Sequence, residues 1–338
     1  MIFTPGFPGV FIFFFYYLKS RAIIPYVVWA APADNKILQR TVTISLTYAG
    51  IFVLVVLLVV FVYRQSSGYN IVEYELTTEK EIPDPVRFVM LSDLHDTDAT
   101  HDNNKGLIEA IEALSPDFVI LAGDVITSYV NPSRDHHISR DFLQRLSSKF
   151  KVYYGLGNHE QRYRKDDEEY PGRYAEFESF VKGCGIDVLS DRHEDLPDNN
   201  ISIYGFDVPM EYYKRFRTGG MQEGIIADKL GTLSEDRYNI LIAHDPVFFD
   251  EYAAFGPDLV LSGHLHGGMI VLPGIGGLIS PQLQLFPKYD FGVFTQKDTT
   301  MIVSRGIGWH SIPIRIFNKA EIVTVTIRNN KGTKKEDI

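Results

Sequence analysis

The chain has 338 residues, of which 45% are apolar and 22% charged, enough apolar surface for a large core and too much for a disordered polymer. Its formal charge of −10 argues against a surface that coats nucleic acid. A lone cysteine, Cys184, excludes an internal disulfide framework and a cysteine-based zinc cage, so a metal site here must use histidine, carboxylate or amide groups.

The first 65 residues read as a membrane anchor. The 23 residues 41–63 carry no charged side chain, and Ile51 to Val62 is an unbroken apolar run. As a helix rising about 1.5 Å per residue this stretch reaches roughly 34 Å, longer than a hydrocarbon core of about 30 Å. It is predicted to cross a membrane, because buried helices of soluble domains rarely run so long without a polar face. Residues 1–18 are also uncharged, but Pro5, Gly6, Pro8 and Gly9 confine the clean apolar part to Val10–Leu18, which leaves one or two transmembrane segments open. The stretch Ala22–Ala33, with Pro25 and Pro32, suits the membrane interface. Lys19, Arg21, Lys36 and Arg40 precede the long span while only Arg64 and Lys80 follow closely. The positive-inside rule then places the rest of the chain on the extracytoplasmic side of the cell membrane. Residues 66–85 are expected to be a linker, 86–328 the main domain and 329–338 a basic, solvated tail.

Within the main domain, Arg87–Leu91, Phe118–Leu121, Lys151–Leu156, Tyr238–Ala243 and Leu259–Ser262 are short apolar, β-branched-rich runs of strand length. Helical stretches fall between the first three, at Asn104–Leu114 and Asp135–Phe150, with Pro116 closing the former. This alternation predicts an α/β sandwich. Further strands at Ser202–Phe206, Gly292–Gln296, Met301–Ser304 and Ile322–Ile327, with few helices between them, predict a second sheet.

Each of the first five runs is followed at once by residues of metal-ligand type. Asp93 and His95 follow the first, Asp124 the second, Asn158 and His159 the third, His244 the fourth, and His264 and His266 the fifth. Polar residues at the carboxyl ends of buried strands converge on one crevice in open α/β sheets, so the five motifs are predicted to share a pocket. Taken singly, Asp93 or Asp124 would serve as a cap or turn residue, Asn158 as a turn and His244 as a loop histidine. The segment Gly263-His264-Leu265-His266-Gly267-Gly268 resists such a reading, since two histidines between glycines add little to a core.

The candidate ligands are therefore Asp93, His95, Asp124, Asn158, His244, His264 and His266. Carboxylate, imidazole and amide oxygen together suit a borderline dication such as Mn, Fe or Zn. Seven donors are too many for one open site. With one bridging carboxylate they divide between two ions about 3.5–4 Å apart, the arrangement used in phosphoryl chemistry. Asp124, the lone carboxylate in the middle of the order, is the natural bridge.

The ordered set Asp-x-His, Gly-Asp, Gly-Asn-His-Glu, a single His and Gly-His-x-His resembles the calcineurin-like metallophosphoesterases, over about Val86 to Arg328. Leu-Ser-Gly-His-Leu-His-Gly-Gly (261–268) and Ser-Arg-Gly-Ile-Gly (304–308) are similar to the membrane-associated bacterial branch of that superfamily. The resemblance implies a four-layer α-β-β-α sandwich behind the anchor. It implies that Asp93, His95 and His266 hold one divalent metal, Asn158, His244 and His264 the other, and that Asp124 bridges. His159 would be catalytic without being a ligand. Two departures stand out: Thr127 and Ser128 occupy a stretch where the family often has an acidic residue, and Met269 stands where this branch frequently has Gln.

Two dications lower the pKa of a shared water far below that of bulk water, which supplies a hydroxide nucleophile near neutral pH without a protein base. The expected activity is hydrolysis of a phosphodiester, pyrophosphate or phosphomonoester at a membrane surface, on a substrate that is in one version lipid-linked. One alternative is a UDP-2,3-diacylglucosamine-type pyrophosphate hydrolase, as in relatives of this branch, which would need the site in the cytoplasm. Another is a non-catalytic metal-binding membrane scaffold, against which His159 beside a full ligand set weighs. Arg162, Arg164, Lys214, Arg215 and Arg217, with Tyr212, Tyr213 and Phe216 among them, are candidates for holding a second phosphate or an anionic lipid surface. His101, His136, His137, His193 and His310 read as ordinary surface residues, His101 being the nearest in sequence to a motif.

Overall fold

The computed structural model describes residues 36–128, 136–165, 171–214, 219–268, 270–280, 285–309 and 314–330. The chain divides into two units, 1–61 and 62–338.

Helix α1 (Lys36–Ser66) contains the 27-residue stretch Arg40–Ser66, long enough to cross a membrane, and its most apolar 18-residue window has a mean hydropathy of 2.7. No part of its most apolar window is buried, whereas the core helix of a soluble domain would hide at least one face. The possible second span Val10–Leu18 and the interfacial stretch Ala22–Ala33 lie outside the described residues, as do 331–338 of the tail.

The main unit is built on two six-stranded sheets. The first holds β1 (Tyr69–Thr78), β2 (Val86–Leu91), β3 (Phe118–Ala122), β4 (Val152–Gly155), β5 (Asp187–Leu189) and β14 (Ala320–Asn329), in the order β1-β14-β2-β3-β4-β5. The second holds β6 (Arg192–Leu196), β7 (Ile201–Phe206), β8 (Tyr238–Ala243), β9 (Leu259–Ser262), β12 (Gly292–Gln296) and β13 (Thr299–Val303), in the order β12-β13-β9-β8-β7-β6. A small hairpin, β10 (Val271–Leu272) and β11 (Gly276–Gly277), lies apart from both. Helices α2 (Lys105–Leu114), α3 (His137–Ser147), α4 (Asn158–Lys165) and α5 (Arg173–Gly183) follow early strands, and α6 (Ile225–Leu230) and α7 (Phe249–Phe255) follow later ones.

Three apolar layers make this a four-layer α-β-β-α sandwich. Val89 and Leu91 of β2 point to one face and pack with Leu107 of α2, Phe142 of α3 and Phe177 of α5. Phe88 and Met90 point to the other and meet Ile240 and Ile242 of β8 between the sheets. Leu241 of β8 then packs with Ile226 of α6 and Tyr252 of α7. Strands buried on both faces read as continuous apolar runs, which is why β2, β3, β8 and β9 stand out in the sequence.

Residues 66–85, expected to be a linker, instead carry β1, which pairs in parallel with all of β14 from Tyr69 opposite Ala320 to Thr78 opposite Asn329. Its alternation is that of an edge strand: Tyr74 and Leu76 pack on the inter-sheet core while Glu73 and Glu75 face water.

Candidate metal centre

The loops that leave β2 and β3 run side by side. Asp93 N donates to Gly123 O at 3.0 Å, His95 N to Asp124 O at 3.1 Å and Asp96 N to Val125 O at 3.1 Å. Asp93, His95, Asp124, His264 and His266 all have left-handed backbone, with φ of 54°, 50°, 54°, 70° and 51°. This conformation breaks the up-down alternation of a strand, so residues two apart, 93 with 95 and 264 with 266, turn toward one place. Five such residues in one cluster are stored strain of the kind found at functional sites. Gly157 has the converse reason for its identity: a Cβ there would collide with the Asp124 carboxylate.

All seven candidate ligands are buried. Ligand atoms of Asp93, His95 and His266 lie within 4.8 Å of one another, as do those of Asp124, His244 and His264, and a third set joins His95, Asp124 and His159. Asp93 Oδ1 is 3.5 Å from His266 Nε2, 3.7 Å from His244 Nε2 and 3.8 Å from His95 Nε2. Asp124 Oδ2 is 3.0 Å from His244 Nε2 and 3.8 Å from His95 Nε2. The Nε2 atoms of His95 and His266 face each other at 3.1 Å. Asn158 opens α4, and its buried Oδ1 has no hydrogen-bond partner among the described residues.

The donors fit a cation. His244 Nδ1 lies 2.7 Å from Ala122 O and donates to it, so in the neutral ring the Nε2 lone pair is left for a cation. Burial pushes Asp93 up to about 7 against the pull of His244, and Asp124 adds to the rise. Burial opposes charge on His244, yet Asp124 and Asp93 together push its imidazole up to about 10. Two buried carboxylates thus make the pocket strongly attractive to positive charge. Asn158 Oδ1, an acceptor otherwise costly to bury, completes an O/N set that a borderline dication takes.

His159 follows Asn158, and its ring stands edge-on to that of His95, centroids 4.7 Å apart. Its backbone N donates to Asp124 Oδ1 at 2.8 Å. Ser128 N donates to its Nδ1 at 2.9 Å, and Ser128 Oγ lies 3.1 Å from the same atom. With Nδ1 accepting, a neutral His159 carries its proton on Nε2. The orienting group that the sequence left open is therefore Ser128.

Three supporting groups were not singled out by the sequence reading. Glu160, the last residue of Gly-Asn-His-Glu, is buried and accepts from Asp124 N (2.9 Å), Gly157 N (2.8 Å), Ile126 N (3.1 Å) and Tyr154 Oη (2.7 Å). It thereby ties the loop after β3 to the loop after β4. Asp96 accepts from Ser139 Oγ at 2.6 Å and from Thr127 Oγ1 at 3.0 Å, and His136 Nδ1 lies 2.6 Å from it. His136, expected at the surface, is instead buried, because this carboxylate and the rings of Tyr163 and Phe177 enclose it. Arg315 is buried with Nη2 3.5 Å from His266 Nδ1 and 3.2 Å from Gly306 O. The position of Glu160 within a motif was the one available signal; the other two depend on tertiary packing.

Of the remaining candidates, Arg164 is engaged with Asp207 at 3.0 Å, while exposed Arg162 reaches Ser128 Oγ at 3.4 Å. The Tyr213 ring packs on His264 with centroids 5.0 Å apart. Residues 215–218, Met269 and His310 lie outside the described residues. His101 and His137 are exposed, and His193 stacks on Tyr204.

The profile described as calcineurin-like phosphoesterase matches residues 86–268, more than half of the chain. The chain belongs to this family of metal-dependent phosphoester hydrolases. The chain is 29% identical over 252 residues to a protein of Caenorhabditis elegans named as a metallophosphoesterase, covering 72% of this chain and 48% of that one. It is 28% identical over 254 residues to a Bacillus subtilis metallophosphoesterase, covering 73% and 80%. It is 26% identical over 294 residues to a Danio rerio protein named transmembrane protein with metallophosphoesterase domain, covering 83% and 62%. The chain thus matches about half the length of the worm relative and under two thirds of the fish one.

Proposed function

We propose that this chain is a membrane-anchored phosphoesterase in which Asp93, His95 and His266 hold one divalent cation, Asn158, His244 and His264 hold a second, and Asp124 serves both. The observation that carries the reading is the membership of Asp124 in two of the three ligand groups, one reaching toward His95 and the other toward His244 and His264. The donor set favours Mn, Fe or Zn. When bound, such a pair supplies Lewis-acid charge and a water of lowered pKa.

The chain's own residues supply the rest. Asp124 and Glu160 fix the backbone that carries Asn158 and His159, so donor positions are set before a substrate arrives. His159, held at Nδ1 by Ser128, offers Nε2–H to a phosphoryl oxygen or to the departing alkoxide, which needs a proton as the P–O bond breaks. Arg162 beside Ser128 is exposed and suited to a second phosphate, which favours a pyrophosphate over a simple monoester. Helix α1 would anchor the domain at the extracytoplasmic face of the cell membrane, where a lipid-linked phosphate ester is within reach.

The test is hydrolysis by the full-length, detergent-solubilised protein loaded with Mn, on bis-p-nitrophenyl phosphate and p-nitrophenyl phosphate. Metal-dependent turnover, lost in His159→Ala at unchanged metal content, is expected. Absence of turnover with both metals bound, or an unaffected His159→Ala, would refute the reading.

A further inference from the structure

In residues 62–338 beyond the end of α1, the most exposed large apolar side chains among the described residues are Ile275 (69%), Leu285 (63%), Phe286 (55%) and Phe317 (48%). Ile314, at 40%, stands near them in sequence. Backbone pairing gathers them in one small lobe. Ile270 bridges Ile316 and Val271 N donates to Ile316 O at 3.0 Å; Leu278 N donates to Ile270 O at 2.8 Å; Ile279 bridges Leu285 and Phe286 N donates to Leu278 O at 3.1 Å. Four short segments, 314–317, 270–272, 276–279 and 285–286, therefore lie side by side. Large apolar side chains concentrated on one lobe, when the rest of a surface has them singly, mark an interaction surface.

Two connections say what that surface meets. Ser66, the last residue of α1, accepts from Arg315 N at 2.9 Å and donates through Oγ to Arg315 O at 3.2 Å, and both residues are buried. Ser66 follows Val62, the end of the apolar run, by four residues, which is about 6 Å of helix. A helix that spans the bilayer thus delivers Ser66 to the headgroup layer, and Arg315, between Ile314 and Phe317, comes with it. On the other side, the lobe is continuous with the metal-site loop: Asn318 Nδ2 donates to His266 O at 2.7 Å and also to Gly268 O.

We propose that the lobe made of these four segments docks on the lipid bilayer, setting Ile275, Leu285 and Phe286 into the water–lipid interface and bringing the metal centre to phosphate esters carried at the membrane surface. Apolar side chains entering the interface gain free energy in proportion to the area they bury there. The inference rests on the reading of α1 as a membrane span, and it narrows the substrate to one presented at a lipid surface.

The lone cysteine makes a direct test practical. In a Cys184→Ser background, single cysteines placed as Phe286→Cys, Leu54→Cys and Lys182→Cys are labelled with an environment-sensitive fluorophore. The full-length chain is reconstituted into phosphatidylcholine–phosphatidylglycerol vesicles with or without a spin-labelled phospholipid. The proposal expects emission at 54 and 286 to be quenched by the spin-labelled lipid and emission at 182 to be untouched. Quenching at 54 with 286 behaving like 182 would overturn the docking surface and leave the anchor standing. No quenching at 54 or 286 would overturn both. A signal at 286 that follows protein concentration instead of quencher would mean that a second copy covers the lobe, and would also overturn the proposal.

Discussion

Ser128 gives its backbone N–H to Nδ1 of His159 at 2.9 Å, in the stretch where the family resemblance suggested an acidic residue. A backbone donor and a carboxylate act oppositely on an imidazole: the carboxylate accepts a proton from Nδ1 and favours imidazolium, while the N–H needs Nδ1 unprotonated. In this chain His159 is thus held with Nδ1 as an acceptor.

Because the bond to Ser128 is a main-chain bond, Ser128→Ala keeps it and removes only the hydroxyl at 3.1 Å. Turnover in Ser128→Ala is expected to fall by less than about tenfold, against about 10²- to 10⁴-fold for His159→Ala. Steady-state kinetics on metal-loaded protein compares the two, and an equal loss in both would show that the hydroxyl, not the backbone, does the orienting.

Glu160 accepts four hydrogen bonds with two oxygens, one of them from Asp124 N. An amide in its place turns an NH2 toward two of those donors. Glu160→Gln is expected to cost about 2–4 kcal/mol in denaturant unfolding and to reduce metal retention, since the loops carrying Asp124 and Asn158 lose their common anchor.

The buried pair of His136 and Asp96 makes a similar prediction farther from the centre. His136→Phe preserves the packing against Tyr163 and Phe177 but takes the imidazole away from the Asp96 carboxylate, which keeps Ser139 and Thr127. A loss of about 1.5–3 kcal/mol in urea unfolding is expected, with metal content largely kept. An unchanged midpoint would show that the pair contributes little.

Chelation supplies a test that needs no substitution. Ions that bind only the folded chain stabilise it by about 2.7 kcal/mol at a hundred times their dissociation constant. Removing them also restores the repulsion between buried Asp93 and Asp124, so the melting temperature is expected to fall on EDTA treatment and to recover with Mn. Identical melting with and without chelator would contradict a resident metal.

How much of this was legible in the sequence follows from burial. Strands β2, β3, β8 and β9 lie between two covered faces, so their apolar runs are unbroken and their ends fall within a residue of those predicted. Edge strands carry weaker marks: β1 alternates Ile-Val-Glu-Tyr-Glu-Leu and passed for a linker, and β6 is Arg-His-Glu-Asp-Leu, which no apolar pattern betrays. At the site, Asp93, His95, Asp124, His244, His264 and His266 could be gathered beforehand because each follows the carboxyl end of a buried strand, and the ends of β2 and β3 in one sheet meet those of β8 and β9 in the other. Ser128, Asp96 and His136 could not, since their places are set by turns and by side chains many residues away.

The most direct measurement of the central claim is metal stoichiometry by inductively coupled plasma mass spectrometry on full-length protein and on Asp124→Asn, each reconstituted with Mn and freed of excess ion. The account predicts about two ions per chain in the parent. It predicts one or none in Asp124→Asn, with unchanged circular dichroism. Two ions retained in the folded variant, or fewer than two in the folded parent, would contradict a pair of cations sharing Asp124.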